Sequence, residues 1–280
     1  MTAASSGEAR VCVLTGAASG IGRHLTGVLA RAGFRVVATD QDLEKLEQAA
    51  RAEAWPADRV LRRLLDVREP QAFRDAIGLA RATFGRFDIL LNVAGYLRPG
   101  YAHEAAPEEI DRHLDVNVKG VIHGTRAAAA VMVPQGHGHV VNVASLAGHV
   151  PVRGLGLYST SKFAVRGFSL VAAHELRPHG VFVSAVCPDA VNTPMVDLQV
   201  DYPEAAISFS SAKMLTAEDV ARAIVDDVLV RRPLEVLLPR GRGLLARLVG
   251  AWPELGLRLA PRFAAKGEAR RQVLARRRSA

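Results

Sequence analysis

Val11-Cys12-Val13-Leu14-Thr15-Gly16-Ala17-Ala18-Ser19-Gly20-Ile21-Gly22 is the stretch on which the fold turns. An apolar run ends in threonine, three glycines follow within seven positions, and the chain passes directly into an amphipathic segment. Glycine lets a backbone turn tightly and approach a ligand, and the start of a helix favours a phosphate. Strand, glycine turn and helix in that order predict a dinucleotide cradle. Asp40, at the end of the next apolar run, is placed to meet ribose hydroxyls. The spacing is not G-x-G-x-x-G, so the loop alone also reads as a plain turn, and Asp40 alone as a cap on the following helix.

Outward from this loop, VCVLT, FRVVAT, VLRRLL, FDILLNVAG, HVVNVAS, VFVSAVCP and LEVLLP alternate with amphipathic stretches. Those stretches begin near Gly20, run through Leu43 and Leu46, then Phe73 and Ile77, and extend from Pro107 to Val133 and Tyr158 to Arg177. The last begins near Thr216. Such alternation predicts a parallel sheet of about seven strands with crossover helices. Glu108 and Glu109 after Pro107, and Glu218 and Asp219 after Thr216, suit helix starts. No Pro/Gly/Ser-rich break precedes Pro233. Residues 1–239 are therefore read as one domain and 240–280 as a basic amphipathic extension, with any ligand above the carboxyl ends of the strands.

At 280 residues, 49% hydrophobic and 23% charged, the chain has an ordinary globular composition. Cys12 and Cys187 lie in apolar runs, as buried thiols do in a reducing compartment. MTAASSGEAR lacks the apolar core of a secretory signal, and no stretch is long and apolar enough to span a bilayer, so a cytoplasmic location is expected. The net charge of +8 is local: from Arg231 to Ala280 there are thirteen basic and three acidic residues, which leaves the body close to neutral. No stacking aromatics accompany the tail arginines, which argues against nucleic acid. No metal-ligand set is assigned.

The loop Thr15 to Gly22 has the form T-G-x-x-x-G-I-G, and Asn92 to Gly95 reads N-V-A-G. With Asp66-Val67, Asn117 in VNVKG, Ser145 in NVASLAG and Tyr158-Ser-Thr-Ser-Lys162, the chain resembles the short-chain dehydrogenase/reductase family from about Arg10 to Pro239. The resemblance implies an α/β, Rossmann-like, doubly wound parallel sheet with helices on both faces, a homodimer or homotetramer, and a nicotinamide dinucleotide held by Gly16, Ser19, Gly20, Ile21 and Gly22. It also implies Asp66 at the adenine amino group, Val67 beside the ring, and Asn92, Ala94 and Gly95 near a ribose. Asp40 would repel a 2′-phosphate, and Ser19 and Gln41 supply no countercharge, so NAD is expected over NADP. Arg23 and Arg62 are the cations that could reach such a phosphate.

Tyr158 and Lys162 are four apart on a helix and share one face. Alcohol oxidation needs a base as hydride leaves, and a nearby ammonium would draw the phenol toward working pH. Tyr158 is thus expected as general acid/base, Lys162 as its modulator and Ser145 as donor to the substrate oxygen. Asn117, by resemblance, joins the proton relay. The activity expected is hydride transfer between NAD and a secondary alcohol or ketone. The alternative is a regulatory dinucleotide-binding protein with little turnover.

The family commonly has Pro-Gly after the sixth strand, where this chain has Pro188-Asp189. Pro188, Val191 and Thr193 are still expected at the cofactor, while Asp189 must point away or alter the floor of that site. A lid over about 190–215 supplies Met195, Val196, Leu198, Val200, Tyr202, Ile207, Phe209 and Met214. With Tyr96, Leu97, Leu146, Val152 and Leu155 these predict an apolar pocket and a lipophilic substrate; the same residues would also serve as ordinary core. In the extension, Leu244, Leu248, Trp252, Leu255 and Leu259 form a stripe interrupted by Pro253, with Arg242, Arg247, Arg258 and Arg262 nearby. It could cover the active-site mouth, meet a partner subunit or lie on an anionic membrane. The ending AKGEARRQVLARRRSA is expected to be a frayed helix.

Overall fold

The computed structural model describes residues 9–211 and 213–279; the leader reading above rests on residues 1–8, outside that range. Strands β1 (Val11–Thr15), β2 (Arg35–Asp40), β3 (Val60–Leu64), β4 (Ile89–Asn92), β5 (Gly138–Val143), β6 (Val181–Pro188) and β7 (Glu235–Leu238) form one parallel sheet in the order β3-β2-β1-β4-β5-β6-β7. The chain leaves β1 toward β2 on one side and reaches β4 on the other, so the crevice at their carboxyl ends is where a ligand enters.

Strand periodicity builds the two layers. In β1, Cys12 and Leu14 point to one face and pack with Leu25 and Leu29 of α1 (Gly20–Arg31), Leu46 of α2 (Leu43–Ala52) and Val220 of α8 (Ala217–Arg222). Val11 and Val13 point to the other. There they meet Phe73 and Ile77 of α3 (Pro70–Phe84), Met132 of α5 (Gly120–Gln135) and Ala172 of α6 (Gly156–Leu176). Burying each such large side chain contributes about 1.5–3 kcal/mol. Thr216 and Asp219 form a reciprocal capping box at α8, where the acidic residues suggested a helix start. Asp42, not Asp40, caps α2 by accepting the Lys45 N–H at 3.0 Å.

The segment expected as one helix from Pro107 to Val133 is α4 (Pro107–His113), a π-helical turn over Leu114–Lys119 and α5. Beyond β6 come α7 (Pro194–Asp197) and 3₁₀ turns at Leu198–Asp201 and Pro203–Phe209; after α8 the chain continues through α9 (Leu229–Arg231) to β7. The extension forms α10 (Arg240–Ala251) and α11 (Pro253–Ser279), broken at Trp252-Pro253. The terminal segment is docked, not frayed. Leu274 and Ala275 pack with Val196, Val200 and Phe209, and Arg271 donates to the Val200 carbonyl at 2.6 Å. Arg278 reaches Asp197 at 3.3 Å.

Candidate active site

The β1–α1 loop is built for close approach. Gly16 has φ +76°, and a Cβ there would lie 2.8 Å from Ala94 Cα; one on Gly22 would lie 2.0 Å from the Gly16 carbonyl oxygen. Thr15 Oγ1 accepts the N–H groups of Val93 and Ala94 at 3.1 and 3.2 Å, tying the end of β4 to the loop. Asp40 Oδ2 accepts the Ala18 N–H at 3.0 Å, so its carboxylate closes one end of the cleft. The cleft, about 220 Å³, is lined by Gly16, Ser19 to Gly22, Asp40, Val67, Ala94 and Gly95 as expected, and also by Gln41, Leu65, Val93, Val116, Pro194 and Met195.

Two residues expected near the cofactor have side-chain partners within the protein. Asn92 is buried behind the sheet end and donates to Asn142 Oδ1 at 2.8 Å, because β4 alternation turns it away from the cleft. Asp66 is held by Arg68, whose Nε reaches both carboxylate oxygens at 3.0 Å. Both cations considered for a 2′-phosphate are engaged by carboxylates, Arg23 by Glu53 at 2.9 Å and Arg62 by Glu47 at 3.2 Å. A glycine cradle edged by the Asp40 carboxylate fits a dinucleotide.

A second cavity, about 230 Å³, shares Ile21, Val93, Gly95, Thr193 and Met195 with the cleft and so adjoins it. Ser145, Tyr158 and Lys162 line it together, as do Pro188 and Val191. Helix α6 presents Tyr158 and Lys162 one turn apart. Lys162 is nearly inaccessible, donates to the Val143 carbonyl at 2.9 Å and sits 5.6 Å from the Tyr158 ring centre. Burial lowers its pKa to about 8. Burial also pushes the Tyr158 phenol up to about 12, against an opposing hydrogen bond from Ser145. Burial, and not the downward pull expected from Lys162, sets the direction of this shift.

Asn117 lies in the π-helical turn, a local widening that often marks functional positions. Its Oδ1 accepts the Tyr96 N–H at 2.7 Å, and its Nδ2 donates to the Tyr96 carbonyl and to Ser161 Oγ at 2.8 and 2.9 Å. Ser161 Oγ in turn donates to the Tyr158 carbonyl at 2.7 Å. Asn117 thereby fixes the helical turn that carries Tyr158.

Leu97, Leu146, Val152, Leu155, Met195, Val196 and Ile207 line the cavity as expected. Tyr96 does not: its hydroxyl donates to Glu109 at 2.8 Å. Of the lid residues, Leu198 is exposed, Tyr202 packs beside Leu97 and Leu155, and Val200, Phe209 and Met214 join the cluster under α11. The roof is the extension itself, through Leu245, Ala246 and Val249 of α10 and Leu259, Ala260 and Phe263 of α11. The expected stripe is turned outward at Leu244, Leu248, Trp252 and Leu255, and only Leu259 faces the cavity.

Asp189 supplies the anchor. Its carboxylate pairs with Arg242 Nε at 2.5 Å, and Arg242 also reaches Ser210 Oγ at 3.3 Å. Burial raises the Asp189 pKa while Arg242 opposes the rise. The residue standing where the family has glycine thus binds the roof to the floor. A second seam gathers at Glu235, which accepts from Arg166 of α6 at 2.6 Å, Arg247 of α10 at 2.8 Å and His149 at 3.0 Å. His149, Cys187 and Glu235 lie within 4.8 Å of one another, but the two arginines already balance that carboxylate.

Comparison with known proteins gives this geometry its relatives. The short chain dehydrogenase family profile matches residues 10–202. Over 201 residues, 70% of this chain and 80% of the relative, it is 39% identical to 2-(R)-hydroxypropyl-CoM dehydrogenase of Xanthobacter autotrophicus. It is 31% identical over 216 residues to an uncharacterized oxidoreductase of Staphylococcus aureus, spanning 77% and 89% of the two chains. A short chain dehydrogenase/reductase of Burkholderia phymatum in complex with NAD superposes with TM-score 0.79 at 28% identity, covering 89% of this chain and 95% of that one. A short chain dehydrogenase of Mycobacterium paratuberculosis bound to NAD gives TM-score 0.74 at 25% identity, covering 85% and 98%.

Proposed function

Since the chain belongs to the short-chain dehydrogenase/reductase family, and is an oxidoreductase of that family, we propose that it moves a hydride between NAD and a lipophilic secondary alcohol or its ketone, with Tyr158 transferring the proton. The observation that carries this reading is adjacency: Ser145, Tyr158 and Lys162 face an apolar cavity that adjoins the glycine cleft at Gly95 and Thr193.

The cofactor would be held by Gly16 and Ser19 to Gly22 on its phosphates, by Asp40 on a ribose, and by Ala94, Gly95 and Thr193 farther along the cleft. When bound, it supplies the hydride acceptor in oxidation and a positive ring that favours the phenolate. Tyr158 takes the alcohol proton at its phenol oxygen and returns it in the reverse direction. Ser145 donates to the substrate oxygen and shares its developing charge. Lys162, nearly inaccessible and with its pKa lowered to about 8, holds or releases a proton near neutral pH. Asn117 positions the Tyr158 turn. Asp40, with Arg23 and Arg62 engaged elsewhere, supports NAD over NADP. The roof and the Leu97–Leu155 wall support a lipophilic substrate.

Tyr158→Phe tests the proton role. Turnover is expected to fall by about 10²–10⁴-fold, while the affinity for NAD, read by fluorescence titration, stays within about twofold because only a hydroxyl distant from the phosphate cradle is removed. Near-normal turnover would remove Tyr158 from the mechanism.

A further inference from the structure

The α10–α11 pair has two apolar faces, and only the inner one is used by the cavity. The outer face carries Leu244, Leu248, Trp252, Leu255 and Leu257, exposed at 62, 44, 60, 41 and 72%. These five fall within fourteen residues, whereas the other ten exposed large apolar side chains among the described residues are spread from Leu43 to Val273. Leu244 and Leu248, four apart, share one face of α10, and Trp252, Leu255 and Leu257 follow at the joint and in the first turns of α11. Such a concentration of exposed apolar side chains on a folded chain marks a contact surface.

The charge around it selects the partner. Between Glu235 and Glu268 a single acid, Glu254, stands against six basic residues, and Arg240, Arg258 and Arg262 are exposed beside the stripe. A two-fold dimer through this face would set the same arginines against their own copies. An anionic surface would instead satisfy them while the leucines and the tryptophan enter its apolar margin. Among the described residues no helix is long and apolar enough to cross a membrane, so such a contact lies in the interface plane.

We infer that the outer face of α10 and the start of α11 docks on an anionic lipid surface. One layer of helix then separates lipid from the cavity, with Leu245 and Val249 facing inward from the helix whose Leu244 and Leu248 face the bilayer. The inference rests on the surface alone and holds whatever alcohol the enzyme takes.

Flotation of the full-length protein with vesicles of phosphatidylcholine, and of phosphatidylcholine mixed with phosphatidylglycerol, tests it. Binding is expected to the anionic vesicles only and to weaken with salt. The double variant Leu248→Ser/Trp252→Ser should reduce the partition coefficient at least about tenfold with an unchanged melting temperature. Arg258→Gln/Arg262→Gln should weaken binding without touching the apolar stripe. No flotation with anionic vesicles, equal flotation with neutral ones, or full binding by both double variants would overturn the inference. So would dissociation of an oligomer by Leu248→Ser/Trp252→Ser on sedimentation, which would assign the face to a second copy.

Discussion

The glycine cleft and the roof of the adjoining cavity are made in opposite ways. The cleft is local: Thr15 to Gly22 turn on themselves, Gly22 packs on Gly16, and Asp40 reaches the Ala18 N–H across two neighbouring strands. The roof is assembled from afar, by Arg242 on Asp189, by Arg247 on Glu235 and by α11 on the Pro203–Phe209 turn. Residues 10–202, which the family profile matches, include the cleft; the α10–α11 roof lies beyond them. The difference teaches that the shared chemistry occupies the local half, while the shape offered to a substrate is set by the distant half.

The largest expected contrast comes from overfilling the local half. Gly22→Ala puts a methyl 2.0 Å from the Gly16 carbonyl oxygen, and the backbone there must yield. Overpacking costs about 1–3 kcal/mol, and since that strain falls on the loop proposed to hold NAD, its Kd should rise at least about tenfold. The KM for the alcohol, measured at saturating NAD, should stay nearly constant. Equal damage to both would dissolve the distinction between the two halves.

A smaller effect is expected at the first seam. Arg242→Met leaves Asp189 without its partner in a buried wall; breaking a buried pair costs about 3–5 kcal/mol, and the partial exposure of Arg242 places this one below that range. Thermal melting should show the loss, and the KM for the alcohol should rise more than that for NAD. Asp189→Gly/Arg242→Met, which removes both charges, should recover most of the stability. A double variant no more stable than Arg242→Met would show that the pair does not fasten the roof.

The smallest effect is acid-dependent and belongs to the second seam. Burial would raise the pKa of Glu235, but hydrogen bonds from His149, Arg166 and Arg247 outweigh it and hold the carboxyl well below the ordinary range. A carboxylate lowered in the folded state contributes stability in full above its ordinary pKa of 4.5 and loses it as pH falls from there. The melting-temperature gap between the native protein and Glu235→Gln should therefore be widest near neutrality and close progressively below pH 4.5. A gap independent of pH would mean that the charge of Glu235 contributes nothing.

These contrasts follow what was legible in the sequence. Strand and helix periods, the Thr15–Gly22 loop and the four-residue spacing of Tyr158 and Lys162 are short-range patterns, and the sheet and the cleft carry them. The side-chain partners of Asn92 and Asp66, Asn142 and Arg68, are set by strand parity and a neighbouring arginine, which motif membership does not express. The tail stripe was found, yet its larger residues face outward. The roof uses Leu245, Ala246, Val249, Ala260 and Phe263, which lie outside that stripe. Asp189 stood out as a departure in the sequence; its partner Arg242 lies 53 positions along the chain and only folding brings them together.

The central claim is NAD-linked oxidation or reduction of a bulky apolar substrate beneath this roof. Formation of reduced nicotinamide, followed by absorbance with NAD and separately with NADP across secondary alcohols from short-chain to polycyclic, tests it most directly. The account predicts turnover with NAD that exceeds turnover with NADP at equal concentration, and a kcat/KM that rises with the apolar bulk of the alcohol. Preference for NADP would contradict the reading of Asp40, preference for a sugar alcohol would contradict the roof, and NAD binding without turnover on any alcohol or ketone would contradict the enzyme.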